Sequence, residues 1–187
     1  MFSIQRIRRD RAIREAEGYL DLLMSLADRW PLTPAIRDPL AQRVLTALEG
    51  LEEGRSQRAY VYYLKGQALR IMDRFREAIE PLEKSSQISR ENLHVWLALA
   101  WCYKRIGRLD MAIQSLEEAL GVDSGEAIVH YNLACYWSLA RNVKLAVEYL
   151  SHALEIDPNY RELIPREADF DPIRDEPGFQ AILSVIV

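Results

Sequence analysis

The stretch His130-Tyr131-Asn132-Leu133-Ala134-Cys135-Tyr136-Trp137 gathers a histidine, a cysteine, an asparagine and three aromatics into eight positions. Such side chains could build a zinc site from imidazole and thiolate, or a cysteine nucleophile activated by a neighbouring base. The spacing argues against both. A metal-binding helix presents its ligands at i and i+4, and four residues after His130 stands Ala134. His94 and His152 fall in other helical segments, and the two thiols, Cys102 and Cys135, are too few for a four-thiolate site or a disulfide framework and form no C-x-x-C pair. The sequence shows no Ser-His-Asp order, phosphate loop or dinucleotide glycine pattern. No catalytic residue, metal or cofactor is expected.

What the cluster does obey is a period. Thirty-four residues upstream the chain reads VWLALAWCYK, residues 95–104, with the same alternation of bulky and small groups. Placing register 1 on Ala59, Leu93 and Ala127 aligns three copies without a gap. Register 8 is then Gly66, Ala100 and Ala134; register 20 is Ala78, Ala112 and Ala146; register 24 is Leu82, Leu116 and Leu150. Small residues fall where two helices must approach closely, and leucines where the facing space must be filled. Register 4 holds Tyr62, Trp96 and His130, and register 11 holds Leu69, Tyr103 and Trp137, so His130 occupies a tryptophan's position. Offsets of 4, 7, 8 and 11 trace one helix face.

The second half of each copy repeats the pattern of an amphipathic helix: Phe75, Ala78, Ile79, Leu82; then Leu109, Ala112, Ile113, Leu116; then Val143, Ala146, Val147, Leu150. Between the halves lie Asp73-Arg74, Gly107-Arg108 and Arg141-Asn142, where glycine or asparagine is expected to take the positive φ of a tight turn. Each unit therefore reads as an antiparallel helical hairpin. The first is the least regular, with Lys65, Ser85 and a proline, Pro81, expected to bend its second helix.

A small residue at register 8, an aromatic at 11, alanine at 20 and 27, a large residue at 24 and the closing LEIDP of residues 154–158 resemble the tetratricopeptide repeat. The resemblance implies an all-α, right-handed superhelical solenoid of antiparallel hairpins, with repeats at 59–92, 93–126 and 127–160. Solenoids close their ends with atypical segments. Residues 1–58 read as an N-terminal cap or degenerate hairpin, one helix over residues 4–28 and a second opened by Asp38-Pro39 and ending near Gly50. Residues 161–187 read as a C-terminal cap broken at Pro165, Pro172 and Pro177, with Phe170, Ile173, Phe179, Ile182 and Leu183 sealing the last repeat.

The resemblance also implies a concave groove lined by registers 2, 5, 6, 9, 12 and 13. Here these are Tyr60, Tyr63, Leu64, Gln67, Arg70 and Ile71; His94, Leu97, Ala98, Trp101, Lys104 and Arg105; and Ile128, Tyr131, Asn132, Cys135, Ser138 and Leu139. Such an aromatic trough with a basic edge suits a peptide segment of another protein, held by Tyr63, Trp101 and Tyr131 and oriented by Arg70, Lys104 and Arg105. The clamp by which some family members hold an acidic chaperone tail needs lysines, asparagines and an arginine where this chain has Tyr63, Gln67, Ala98, Ile128 and Asn132, which argues against that ligand. A competing reading has the N-terminal helix or a second copy of the chain covering the trough, since apolar patches are seldom left bare.

With 28 acidic and 24 basic side chains the 187-residue chain carries a formal charge of -4, which disfavours nucleic acid and anionic membrane as partners of the whole surface. The exception is the start. Residues 1–14 hold Arg6, Arg8, Arg9, Arg11 and Arg14 against Asp10, so this arm is basic while the remainder is the more acidic for it. A second reading follows, an anion-binding factor using the arginine arm on nucleic acid or an acidic membrane surface. No apolar run approaches the ~18–20 residues of a membrane span, and the acids among the arginines argue against an organelle presequence, so a cytoplasmic protein is expected.

Overall fold

The computed structural model describes residues 2–27, 29–51 and 57–185. Among these, every regular element is helical. The chain forms two compact units, Met1–Ile106 and Gly107–Val187.

The first unit contains α1 (Phe2–Ala27), α2 (Pro34–Ala47), α3 (Arg58–Ile71), α4 (Phe75–Ile88) and α5 (Leu93–Arg105). Consecutive helices pack against each other, α3 against α4 most extensively, and α3 also touches α1 and α5. Its N-terminal core joins Ile13, Ala16 and Leu20 of α1 to Val44 and Leu48 of α2's end and to Val61, Leu64 and Ala68 of α3. α1 is nearly twice as long as its partner α2, and its buried stripe begins only at Ile13; no described side chain before that position is buried.

The tightest contact lies between α3 and α4. A β-carbon built on Gly66 would stand 2.4 Å from Cγ of Leu82, which is itself fully buried. Register 8 is small because register 24 of the same hairpin leans into it. Ala100 and Ala134 at the same register are also fully buried.

The second unit contains α6 (Leu109–Val122), α7 (Ala127–Leu139), α8 (Val143–Ile156) and α9 (Pro177–Val185), with 3-10 turns at Pro158–Glu162, Ile164–Arg166 and Ala168–Ile173 between the last two. α7 and α8 form a hairpin, α6 packs on α7, the Ala168–Ile173 turn lies on α7, and α9 lies on α8. The tail thus imitates a further hairpin in shortened form. Prolines at 165, 172 and 177 prevent long helices there, and Ile164, Phe170, Ile173 and Phe179 supply the buried side chains, while Ile182 and Leu183 are half-buried.

The turns keep phase. Positive φ occurs at Asp73 (59°), Gly107 (77°) and Arg141 (57°), one register throughout. At Asp73 and Arg141 the backbone closes as a Schellman motif: Arg74 N–H donates to Leu69 O and Asp73 N–H to Arg70 O, and Asn142 N–H donates to Trp137 O and Arg141 N–H to Ser138 O. The third turn corrects the expectation from sequence. Arg141, not Asn142, takes the left-handed position, because Asn142 Oδ1 is used to cap α8 by accepting from Leu145 N–H.

α2 also departs from expectation. It begins at Pro34, which holds the preset φ of a first helical residue, and Asp38-Pro39 lies inside it. Asp38 is not a cap because its carboxylate accepts from Arg37 Nε at 2.8 Å, while Arg37 Nη1 reaches Asp73 at 2.6 Å. α4 runs through Pro81 without interruption.

Two exchanges should move stability in opposite directions. Gly66→Ala should cost about 1–3 kcal/mol by overpacking against Leu82, and Arg141→Gly should gain about 1 kcal/mol by relieving the left-handed residue. Urea midpoints at constant m-value check both.

Candidate peptide-binding surface

His130 has a structural task. Its ring Nε2 donates to the carbonyl of Ser124 at 2.8 Å, six residues back. One repeat earlier, Trp96 Nε1 donates to the carbonyl of Arg90, also six residues back, at 2.8 Å. Imidazole and indole perform the same function: each N–H ties down the loop that enters its helix. His152 and Tyr149 pack beside His130, with ring centroids at 5.6 and 6.1 Å. Among the described residues no group of three or more His, Cys, Asp or Glu is placed to hold a metal ion. Cys102 and Cys135 are buried thiols that form no disulfide, and burial pushes the Cys102 thiol up to about 11 despite the nearby Arg70 charge.

In the first unit, the residues expected to line a groove sit on α3 and α5. Tyr60 is half-buried; its hydroxyl donates to Glu17 of α1 at 2.7 Å and its ring stacks on Tyr63 at 6.1 Å. Burial, then that carboxylate, holds the Tyr60 phenol above its ordinary value. Gln67 accepts from Arg70 Nε at 2.8 Å, which fixes the guanidinium along α3. His94 is exposed and Leu97 half-buried. Leu64 and Ala98, at register 6, are core residues rather than lining.

Trp101 differs from its neighbours on α5. The helix buries Val95, Ala98, Leu99, Ala100, Cys102 and Tyr103, yet Trp101 remains 38% exposed. Lys104 Nζ lies 5.4 Å and Arg105 Cζ 5.8 Å from its ring centroid, and the same guanidinium stands 4.4 Å over Phe75. One indole is thus kept at the surface beside two cations.

The second unit gives a different result. Ile128 and Asn132 are half-buried, but Tyr131 is 4% and Cys135 2% exposed. The Tyr131 ring lies 4.8 Å from Tyr160 and 5.8 Å, edge-on, from Phe170, and Phe170 packs at a tilt against Phe179 at 5.2 Å. Tyr131 and Cys135 are therefore not open lining, because the chain's own tail lies on that face of α7. The tail's apolar residues were legible as a seal; which α7 side chains they would cover was not.

Sequence reasoning missed a second feature. The arginine-rich start is one wall of a cleft of ≈ 1310 Å³, lined by Arg6, Arg8, Arg9 and Arg14 of α1 and, opposite them, by Gln57 and Tyr60.

Residues 69–134 match the family model described as tetratricopeptide repeat. This segment of the chain carries tetratricopeptide repeat sequence. Solved structures with the same fold include YrrB, described as a tetratricopeptide-repeat protein with an unusual peptide-binding site, at 20% identity and a TM-score of 0.58 over 69% of this chain. The chain spans 63% of the length of YrrB. A MamA structure superposes with a TM-score of 0.65 at 14% identity, covering 95% of this chain and 88% of MamA. Another MamA structure gives 0.59 at 21% identity, covering 83% and 97%. No curated protein matches the chain in sequence. At these identities the tetratricopeptide neighbours establish the fold alone, and the identity of a ligand has to come from the surface.

Neither thiol should react with Ellman's reagent in the native protein, and both should react in denaturant. Phe170→Ala, which removes a ring packed on Tyr131, should open Cys135 to native-state labelling while leaving Cys102 protected, as peptide mapping of the labelled thiols would show.

Proposed function

We propose that the protein is a non-catalytic interaction module, an adaptor or chaperone-like binder, that holds a peptide segment of another protein on the α3–α5 surface of its first unit. Tetratricopeptide-repeat proteins serve as protein-interaction modules, which supports the general class. The observation that carries the specific reading is Trp101, the most exposed large apolar side chain of α5, which stands beside the cationic groups of Lys104 and Arg105.

The division of labour follows from side-chain chemistry. Trp101 and Tyr63 offer broad, rigid apolar faces at low entropic cost, so they serve as anchors. Arg70, Lys104 and Arg105 supply donors for carboxylates or carbonyls of the bound segment, and Gln67 holds Arg70 in position. Tyr60, His94 and Leu97 complete the surface. Tyr131 and Cys135 belong to the core of the second unit and take no part while the tail lies on α7. The repeats at 59–92, 93–126 and 127–160 are the scaffold of this module, and residues 1–58 and 161–187 its caps.

The test begins with peptides selected on the wild-type protein from a displayed random library. Trp101→Ala should weaken a selected peptide by at least about tenfold, a loss of about 1.4 kcal/mol or more, and leave the melting temperature nearly unchanged. Unchanged affinity, or a collapse in melting temperature with affinity retained, would place the indole outside the binding surface. Tyr131→Ala should behave oppositely, losing several kcal/mol of stability, about 3–5 for a buried aromatic.

A further inference from the structure

The first helix carries a surface that the peptide-binding reading does not use. Its inward stripe, Ile13, Ala16, Leu20 and Leu23, is buried. Its outward stripe runs Ile4, Ile7, Arg11, Arg14, Gly18 and Leu22, at spacings of three or four that keep all six on one side of an α-helix, and every one is exposed. Ile4 is 60% and Ile7 61% exposed. Six of the eleven large hydrophobic residues exposed among the described residues lie in the first 36 positions, so this apolar surface is concentrated at one end of the sequence rather than scattered.

Charge accompanies it. Arg8, Arg11 and Arg14 are exposed and have no acidic partner among the described residues, while Arg6 has only a 4.0 Å contact with Asp10. Apolar and cationic side chains thus share one exposed strip, with Ile4 and Ile7 at one end, Arg11 and Arg14 in its middle and Leu22 at the other end. From Ile4 to Leu22 it extends about 27 Å at the α-helical rise. A β-carbon at Gly18 would meet no atom of the described residues within 4 Å, so the middle of the strip is uncovered at that distance.

We propose that this strip of α1 docks on an anionic lipid bilayer, with the arginines among the headgroups and the isoleucines and Leu22 at the acyl boundary. A basic helix with interleaved apolar groups has the composition of an interfacial segment, and no described helix is long and apolar enough to cross, so the chain lies on the bilayer surface. Nucleic acid fits less well. It offers phosphates to the arginines but little for the isoleucines. The proposal is independent of the α3–α5 surface.

Co-sedimentation of the full chain with vesicles tests it. Binding is expected to vesicles containing about 30% phosphatidylglycerol and not to pure phosphatidylcholine, and it should fall steeply between about 50 and about 500 mM NaCl. Two variant sets act independently: Ile4→Asp with Ile7→Asp, and Arg8→Glu with Arg11→Glu and Arg14→Glu. Each should reduce partitioning at least ~10-fold with melting unchanged, since the replaced side chains are exposed, whereas Trp101→Ala should bind as wild type. No binding to anionic vesicles, equal binding to neutral ones, or indifference to both variant sets would overturn the proposal. Tighter binding to a DNA duplex than to the anionic vesicles would also overturn it and favour a nucleic-acid partner.

Discussion

Leu82 leaves no room for a side chain at residue 66, and much of the first unit follows from that one contact. When two helices approach this closely, the bulky groups of α3 are excluded from the seam and must lie to either side of it. Tyr62, Tyr63 and Tyr60 accordingly flank the glycine rather than face it, and Val61, Leu64 and Ala68 pack toward α1 and α2. The close approach also dictates a short connection, which in turn demands a left-handed residue. Asp73 meets that demand at a cost in backbone energy, and its carboxylate is used at once, as the acceptor for Arg37 of α2.

Repeating the hairpin every 34 residues turns a local rule into a periodic one, and this explains which features can be read from the residues. A period reports faces. It identified Gly66, Ala100 and Ala134 as seam positions and His130 as a counterpart of Trp96, and the two matching hydrogen bonds to carbonyls six residues back show why a histidine can stand in for a tryptophan there. A period does not report neighbours contributed by non-repeating sequence. Tyr131 and Cys135 share registers with Leu97 and Trp101, yet both are buried, and Tyr131 lies under the rings of Tyr160 and Phe170, which fold back over α7. The start of α2 was misplaced for a similar reason: Asp38 has the composition of a cap, but an ion pair with Arg37, itself set by a contact 36 residues away, diverts it.

Register 9 shows how little the scaffold constrains this face. Gln67, Trp101 and Cys135 occupy it in successive copies, an amide, an indole and a thiol. None serves the close approach of helices at register 8. Gln67 steadies Arg70, Trp101 stands beside Lys104 and Arg105, and Cys135 is buried in the second unit. A position that accepts three chemistries without disturbing the fold is free to be chosen for what it touches, and only the indole combines exposure with neighbouring charge.

The same reasoning separates the two halves of α1. From Ile13 onward the helix is committed, its inner stripe packed against α2 and α3 and its Glu17 held by Tyr60. Before Ile13 no described side chain is buried, so the packing that selects apolar residues elsewhere in the unit does not act on Ile4 and Ile7. A helix end placed beyond its supporting core would be expected to carry polar residues on all sides, with isoleucine an exposed cost. Arginines and isoleucines share that segment instead, a combination that neither the buried core of the first unit nor the α3–α5 surface uses, and it is on this combination that the bilayer proposal rests.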